Sequence, residues 1–310
     1  LYSVNYGRVI AAYVDPIEKK PLFHFYPGSR AFSVATAGCN FRCAFCQNWD
    51  ISQASKGENR SIGGHYTEPQ ATVEAALRTS SRVIAFTYTE PTVFYEWALD
   101  VARAAAEKDL KTAFVTNGYI RADPLDSIQP FLHAANVDLK AFRDESYRRV
   151  MGAALQPVLD TLIRMKRLGI WVEVTTLVVT DLNDSEDELR DIARFISGEL
   201  GPETPWHVSR FHPDFRYTNV PPTNPHVLKR AHELGREEGL HYVYVGNLPG
   251  TDGENTRCHR CGNLLVNRIG FHVVENRIAT GSTCPQCGER VAGVGMEVVS
   301  QRGNSGAGTR

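Results

Sequence analysis

Three cysteines near the start of the chain have the spacing of a metal-binding loop. Cys39, Cys43 and Cys46 follow a C-x3-C-x2-C pattern directly after residues 32–37, an apolar run typical of a buried strand. Three thiolates are one ligand short of a closed tetrahedral zinc site or a fully ligated iron–sulfur cube. The pattern therefore predicts an iron–sulfur cluster with one iron open to a further ligand. The alternative is a zinc loop whose fourth ligand comes from elsewhere, such as His65.

Four further cysteines form a second group near the end of the chain. Cys258 and Cys261 make one C-x2-C pair, Cys284 and Cys287 make another, and 22 residues separate the pairs. Two such pairs fit a closed tetrahedral site of four thiolates, which suits zinc. A rubredoxin-like iron or an auxiliary iron–sulfur cluster is the alternative. Because about 40 residues bury too little core to fold alone, we predict a metal-stapled, zinc-ribbon-like module over residues 257–298.

Composition limits the classes of partner and compartment. The 34 basic and 35 acidic side chains nearly cancel, so nothing in the charge favours a nucleic-acid partner. The seven cysteines are an odd number and lie in clusters, which fits a reducing compartment better than a disulfide framework. With no long apolar run and no leader, we expect a cytoplasmic protein without a membrane partner. Leu1 in place of methionine suggests that the sequence begins inside a longer gene product.

Strands and helices alternate from Thr67 onward. The predicted strands after residues 32–37 are 82–87, 111–116, 136–140, 171–179, 206–210 and 240–245. The predicted helices begin at Thr67-Glu68-Pro69 and then cover 91–108, about 124–132, 157–168, 184–198 and 225–238. This order predicts an α/β fold of parallel strands, either a partial or full (β/α) barrel or a doubly wound sheet. In both architectures, functional residues gather at the carboxyl ends of the strands.

The rest of the chain divides around this core, which we place at residues 32–250. Residues 1–31 read as an extended β lead-in, with β-like stretches at 8–14 and 21–26. Residues 52–64 are polar and without a period, which predicts an exposed loop. A Gly- and Ser-rich disordered tail is expected at residues 300–310.

The cysteine loop, with Phe45 directly before its last cysteine, resembles the signature of radical S-adenosylmethionine (SAM) enzymes. In that superfamily three cysteines hold a [4Fe–4S] cluster and SAM chelates the fourth iron. One electron from the cluster then cleaves SAM to a 5′-deoxyadenosyl radical. The resemblance implies that Cys39, Cys43 and Cys46 hold the cluster. It also implies a reduced flavodoxin- or ferredoxin-like electron donor.

Residues after the second core strand extend the resemblance. Glu90-Pro91 is similar to the Gly-Gly-Glu-Pro-like segment that holds the SAM amino group in this superfamily, but Tyr88 and Thr89 replace the two glycines. Backbone contact to the amino group is therefore still expected, without the geometry that glycine allows. The alternative is that Glu90 lies at a helix amino terminus, where a carboxylate is favourable.

Residues after the next strands resemble the pyruvate formate-lyase activating enzyme. Asn117 lies in Thr116-Asn117-Gly118, and Asp138 and Lys140 match an Asp-x-Lys pair at that family's SAM site. Side chains two residues apart in a strand point the same way, so this pair could bind a zwitterion, or form a structural ion pair. A Phe-His after the sixth strand also occurs in the group, which makes His212 a candidate near SAM or substrate; a structural histidine is the alternative.

Two segments and the cysteine tail narrow the resemblance. Tyr26-Pro27-Gly28-Ser29 and Tyr88-Thr89-Glu90-Pro91 are similar to the radical SAM member of the AmmeMemoRadiSam system, a relative of glycyl-radical activating enzymes, over nearly all of residues 5–250. This implies an oxidoreductase whose radical abstracts hydrogen from a substrate, for which a glycine Cα on a protein partner is one candidate. Radical modification of a small molecule or RNA is a second hypothesis. A non-catalytic zinc-ribbon adaptor, with zinc in both sites, is a third.

Overall fold

A computed structural model describes residues 3–56 and 62–297 of the chain. Within these ranges the strands form one sheet of nine strands and a second of three. The strands are β1 Arg8–Pro16, β2 Arg30–Thr36, β3 His65–Tyr66, β4 Val83–Phe86, β5 Lys111–Thr116, β6 Ala134–Asp138, β7 Trp171–Val178, β8 Trp206–Arg210, β9 Val243–Gly246, β10 Thr256–Arg257, β11 Leu264–Ile269 and β12 His272–Asn276. The predicted disordered tail, residues 300–310, lies outside the described residues, as does the last residue of the predicted module, 298.

Six helices follow the predicted ones to within a few residues at each end, whereas two short helices, Trp49–Ser52 and Asp144–Ser146, were not predicted. They are α1 Trp49–Ser52, α2 Pro69–Arg78, α3 Tyr95–Ala106, α4 Ala122–Ile128, α5 Asp144–Ser146, α6 Gln156–Arg167, α7 Glu186–Phe195 and α8 Pro225–Glu237, with short 3-10 helices at Ile17–Lys19, Ala54–Lys56, Pro91–Phe94 and Gln129–Phe131 and π-helical turns at Tyr147–Met151 and Ile196–Leu200. Prolines at the first turn of α2 and α8 start those helices as the sequence predicts. No helix in the described parts of the chain has both the length and the apolar character that a membrane span requires.

The order of the strands decides between the two predicted architectures. Along the large sheet it is β3-β1-β2-β4-β5-β6-β7-β8-β9, and every pair from β2 to β9 is parallel. Right-handed crossovers in one direction put all the helices on the same face, whereas a doubly wound sheet reverses its strand order. Among the described residues the edges of the sheet are β3 and β9. The core is therefore a partial (β/α) barrel, which confirms the predicted fold class.

The lead-in differs from its prediction in its second half. Residues 8–16 form β1, which pairs antiparallel with β2. Residues 21–26, expected as a β-like stretch, form turns with a single β-bridge between Phe25 and Val294, and Phe23, His24 and Phe25 are buried at the amino ends of the strands. The buried carboxylate of Glu173 accepts hydrogen bonds from the backbone N–H groups of Phe23 (3.0 Å) and His24 (2.8 Å). These donors satisfy the carboxylate instead of a strand ladder, so this part of the prediction was wrong.

The cysteine tail packs on the same end of the barrel as residues 21–26. Arg268 of β11 is almost fully buried, and its Nη2 donates to the carbonyl oxygen of Phe23 at 2.9 Å. His24 lies between the carbonyl oxygen of Ala292 and the hydroxyl of Tyr244, each at 2.6 Å from one ring nitrogen. Burial lowers the pKa of His24 to about 4, so the imidazole is neutral at pH 7. The tail thus closes the end of the barrel opposite the cysteine loop, which follows the carboxyl end of β2.

Candidate active site

The cysteine loop continues directly from β2 and turns back into α1. Gly38 takes a φ of +108°, a conformation that favours glycine, and its N–H donates to the carbonyl oxygen of Ile51 at 3.0 Å. The backbone N–H of Arg42 donates to the carbonyl oxygen of Met151 at 2.7 Å, which ties the loop to the helical turn Tyr147–Met151. Within the predicted exposed loop at 52–64, residue 52 ends α1 and residues 54–56 form a 3-10 helix, while residues 57–61 lie outside the described residues. These contacts fix the backbone from which the three thiols project.

A cavity of about 400 Å³ opens at the carboxyl ends of the parallel strands. Seven of the eight residues predicted to bind a cofactor line it: Cys39, Cys43, Phe45, Cys46, Asn117, Asp138 and Lys140. They come from the loop after β2 and from the ends of β5 and β6. Because parallel strands place their carboxyl ends at one edge of the sheet, residues about 100 positions apart in the sequence lie close together in this cavity.

The spacing of the three thiols differs from that of a single-ion site. Four thiolates at about 2.3 Å from one zinc ion lie about 3.8 Å from one another. Among the described residues, the tail cysteines are the one group of three or more His, Cys, Asp or Glu ligands whose atoms all lie within 4.8 Å of one another. The Sγ atoms of Cys39, Cys43 and Cys46 are thus not all within 4.8 Å of one another, which is compatible with thiolates that bind different irons of a cluster. His65, the alternative fourth ligand, is exposed on β3, where it pairs with Val9.

Burial controls the protonation of the loop thiols. It raises the pKa of Cys39 to about 11, with the nearby Glu90 carboxylate adding to the effect, and that of Cys43 to about 12. Metal ligation requires thiolates, so iron must displace these protons on binding. The positive charge of the bound metal therefore stabilises the thiolate form of these cysteines.

Asp138 and Lys140 form an ion pair in the wall of the cavity, with Lys140 Nζ 2.8 Å from Asp138 Oδ2. The sequence prediction put both residues inside a strand, but β6 ends at Asp138 and Lys140 lies two residues beyond it. Burial opposes the charge of Lys140, but the Asp138 carboxylate beside it outweighs burial and holds the pKa of Lys140 above the ordinary value. The pair therefore presents one carboxylate and one ammonium beside the cysteine loop.

Asn117 contacts the cysteine loop directly. Its side-chain Nδ2 donates to Asn40 Oδ1 at 2.7 Å and lies 3.7 Å from Cys39 Sγ, and its Oδ1 accepts from the N–H of Tyr119 at 2.9 Å. Both ends of the amide are thus used, so its orientation is fixed. Asn117 links the end of β5 to the metal-binding loop.

The Glu90 side chain does not line the cavity, whereas Thr87, Tyr88 and Thr89 of the same segment do, so the backbone contact of this segment to SAM stays a prediction. The Glu90 side chain is fully buried. The carboxylate accepts from Thr92 (N–H at 3.1 Å, hydroxyl at 2.7 Å), from the Thr116 hydroxyl at 2.7 Å and from the Asn117 N–H at 2.8 Å. It caps the 3-10 helix Pro91–Phe94, as the alternative interpretation proposed. Its contribution to the site is to position Asn117.

His212 lies outside the cavity. It follows β8 in an exposed segment, and β8 contributes Ser209 to the cavity wall instead. Sequence reasoning missed two other lining residues, Lys19 and Lys20, which follow β1. The signal that could have found them is an adjacent pair of lysines inside an otherwise apolar lead-in segment.

The four tail cysteines form a compact group at the opposite end of the barrel. The Sγ atoms of Cys258 and Cys287 are 3.6 Å apart and those of Cys261 and Cys284 are 3.7 Å apart. Both distances are close to the value of about 3.8 Å expected for thiolates that share one tetrahedral ion. Burial would raise the pKa of Cys284, but the backbone N–H groups of Gln286 and Cys287 lower it to about 6. The group fits one metal ion.

Comparisons with known proteins identify the family. The sequence model of the Radical SAM superfamily matches residues 33–196, which include the cysteine loop, Asn117, Asp138 and Lys140. An uncharacterized protein of Methanocaldococcus jannaschii is 48% identical over 292 residues, which cover 94% of this chain and 86% of the relative. The pyruvate formate-lyase-activating enzyme of Clostridium pasteurianum is 24% identical over 176 residues, which cover 55% of this chain and 70% of the relative. The chain is thus homologous to the activating enzymes.

A solved structure shows the same fold at low sequence identity. Streptococcus suis SuiB bound to S-adenosylmethionine superposes with a TM-score of 0.55 and 13% identity, covering 74% of this chain and 53% of that one. Together with the match over more than half of the sequence, these similarities agree with the geometry of the cavity. This chain therefore belongs to the radical SAM superfamily.

Proposed function

We propose that this protein is a radical SAM enzyme of the activating-enzyme type, in which Cys39, Cys43 and Cys46 hold a [4Fe–4S] cluster. One observation carries the proposal: the three thiols line a single cavity together with Asn117 and an Asp–Lys ion pair, at the carboxyl ends of the strands. The family implies the cluster and SAM, and the loop thiols, which do not all lie within 4.8 Å of one another, are compatible with a cluster. Similarity of the sequence favours the AmmeMemoRadiSam type.

The cavity residues have separate tasks in this proposal. When bound, the cluster and SAM together supply a 5′-deoxyadenosyl radical that abstracts a hydrogen atom from the substrate. The Asp138 carboxylate can bind the amino group of SAM, and the Lys140 ammonium its carboxylate, since the pair presents both charges side by side. Asn117 orients the cysteine loop through Asn40. Phe45 is buried against the loop and helps to exclude water.

The activating-enzyme relative supports a protein partner as the substrate. The relative is by name an activator of another enzyme, pyruvate formate-lyase. We therefore propose that the hydrogen comes from a glycine Cα of a protein partner. We also propose that the chain divides into three parts: a lead-in at 1–31, a core at 32–250 and a metal module at 257–298. The metal of the module is zinc in this proposal.

The proposed chemistry can be tested without knowledge of the substrate. Anaerobic reconstitution with iron and sulfide, followed by dithionite and SAM, should give 5′-deoxyadenosine, detected by liquid chromatography with mass spectrometry. Formation that does not exceed that in a sample without dithionite would overturn the proposal. An anaerobic pull-down then supplies partners, and electron paramagnetic resonance after the reaction should show a glycyl radical on one of them.

The outer face of the cysteine loop offers a place for the electron donor. We define this outer face by Arg42, Trp49, Lys56, Phe215 and Arg216, which together with Asp50, Gln53 and Ala54 line a concavity with a volume of about 570 Å³. The Trp49 and Phe215 rings stack at 5.2 Å, and Trp49 is 44% exposed. Exposed tryptophan and arginine are enriched in protein interfaces. The three cations of this face outnumber its one carboxylate, Asp50, and the net positive charge attracts an acidic partner. An acidic flavodoxin or ferredoxin docked here lies against the loop that holds the cluster.

The double change Arg42→Glu and Arg216→Glu should slow SAM cleavage driven by reduced flavodoxin about tenfold at low salt, because it reverses two charges that attract the donor. Cleavage driven by dithionite, which needs no protein interface, should stay within twofold of the unaltered protein. Lys229→Glu, which changes an exposed lysine of α8 remote from the loop, serves as the matched control. Equal losses with both reductants would contradict a docking role for this face.

A further inference from the structure

A lysine that belongs to none of the family's matched residues lies in the wall of the reaction cavity. Lys20 and its neighbour Lys19 follow β1, and both line the cavity that contains the three loop cysteines. The family match begins only at residue 33, so this wall is contributed by a segment outside the shared core. The shared core supplies the SAM chemistry, and an added wall is where recognition of a particular substrate can be built.

Lys20 is a buried ammonium whose hydrogen-bonding capacity is only partly used. The residue is 1% exposed, yet within the described residues its Nζ has one acceptor, Asp15 Oδ2, at 2.7 Å. The same nitrogen lies 4.2 Å from the centre of the Tyr88 ring. An ammonium carries three donors, and buried donors without acceptors cost free energy. Burial lowers the pKa of Lys20 to about 8, against the opposing effect of Asp15, so the side chain is still mainly charged at pH 7.

Tyr88 and Asp15 hold Lys20 in place. Tyr88 replaces a family glycine and takes a φ of +63°, a conformation rare for a bulky side chain. Its hydroxyl donates to Asp15 and its carbonyl oxygen accepts from Asn48 Nδ2 at 2.8 Å, next to the cysteine loop. This strained residue therefore joins the lysine wall to the cluster side of the cavity. Backbone strain of this kind occurs mainly at functional sites, where it holds side chains in a fixed arrangement before the ligand binds.

The charges of this wall leave one positive charge in excess. Asp15 Oδ1 accepts from Lys19 at 3.0 Å and Oδ2 accepts from Lys20 and Tyr88, so its capacity is used. Its pKa stays low because the two lysines and Tyr88 outweigh the effect of burial. Two ammonium groups thus face one carboxylate. On the other side of the cavity the Asp138–Lys140 pair is neutral as a whole.

We propose that Lys20, with Lys19 beside it, forms an anion subsite that binds a carboxylate or phosphate group of the substrate while SAM is bound. The protein segment that loses hydrogen accordingly carries such a group near the reacting glycine Cα. The inference rests on the proposed function for the location of the reaction. It is distinct from the SAM site because the Asp138–Lys140 pair already presents the charges that complement SAM's amino and carboxylate groups.

The subsite can be tested with small anions on the reconstituted protein in the presence of SAM. We expect ³¹P line broadening of inorganic phosphate, or ¹³C line broadening of acetate, to report binding in the unaltered protein; the stronger of the two identifies the group. Lys20→Met should weaken binding of that anion at least tenfold, and Lys20→Arg should keep it within threefold. Acetate binding should weaken about fivefold from pH 8 to pH 9, because acetate itself does not titrate there and the Lys20 ammonium loses its proton.

Matched variants protect this test against a simple folding defect. Asp15→Asn combined with Lys20→Met removes both charges, which leaves no unpaired buried ion, and should also lose the anion. Lys229→Met, on exposed α8, should change nothing. Unchanged anion binding in Lys20→Met and in the Asp15→Asn and Lys20→Met double variant, or binding seen only when SAM is absent, would overturn the subsite. Because the assay needs no SAM cleavage, absent 5′-deoxyadenosine with Lys20-dependent anion binding would refute only the proposed function.

Discussion

Replacing Cys43 with alanine is expected to remove the iron–sulfur cluster and to lower 5′-deoxyadenosine formation more than about 100-fold. Changes to groups that merely support metal ligands already cost about 10- to 100-fold in affinity or activity, so loss of a ligand should cost more. Cys43 is 7% exposed and lies between the other two cysteines in the loop. Iron and sulfide content per chain and 5′-deoxyadenosine yield measure the effect.

A nearby control separates loss of the ligand from general disturbance of the loop. Asp50 is exposed in α1, directly after the loop, and does not line the cavity. Asp50→Ala should keep both the cluster and the dithionite-driven reaction within about twofold, because an exposed side chain contributes little. Retention of four irons and of activity by Cys43→Ala would contradict the assignment of the loop as the cluster site.

Replacing Cys284 with serine is expected to release the metal of the tail and to lower the free energy of unfolding of the whole protein. The expected loss is about 3 kcal/mol or more, a fraction of the ~10–16 kcal/mol by which zinc binds small zinc-finger peptides. The effect extends beyond the tail because Arg268, Ala292 and Val294 hold residues 23–26 at the floor of the barrel. Denaturant unfolding followed by circular dichroism, with metal analysis of the same samples, measures it.

The other C-x2-C pair, Cys258 and Cys261, supplies a matched control, and the metal analysis identifies the ion. Arg260 lies between two of the tail cysteines with a side chain that is 67% exposed, so Arg260→Ala should keep the metal and the stability. One zinc per chain, beyond the iron of the cluster, supports the proposed zinc site. A Cys284→Ser protein that has lost its tail metal but unfolds at the same denaturant concentration would show that the module does not stabilise the barrel.

The regular elements of this chain follow from local sequence. Helix α8 begins at Pro225, where a proline fits the first turn, and Asn224 caps it through the N–H of His226 at 3.0 Å. The strands β4 and β5 are short apolar runs that read as buried strands from the sequence and are buried in the fold. Residues 21–26 were harder, because their apolar pattern is compatible with a strand. Their backbone donors instead meet Glu173, a residue about 150 positions away.

What the sequence determined by itself about this protein is its ligand chemistry and the edge of the sheet where that chemistry gathers. Cysteine spacing and the strand–helix alternation are local patterns, and the carboxyl ends of parallel strands converge whatever the details of packing. The direction of each side chain depends on packing with distant residues, so only the tertiary structure decided three points. It turned Glu90 inward as a cap, left His212 exposed, and brought Lys20 from the lead-in into the cavity beside the cysteines.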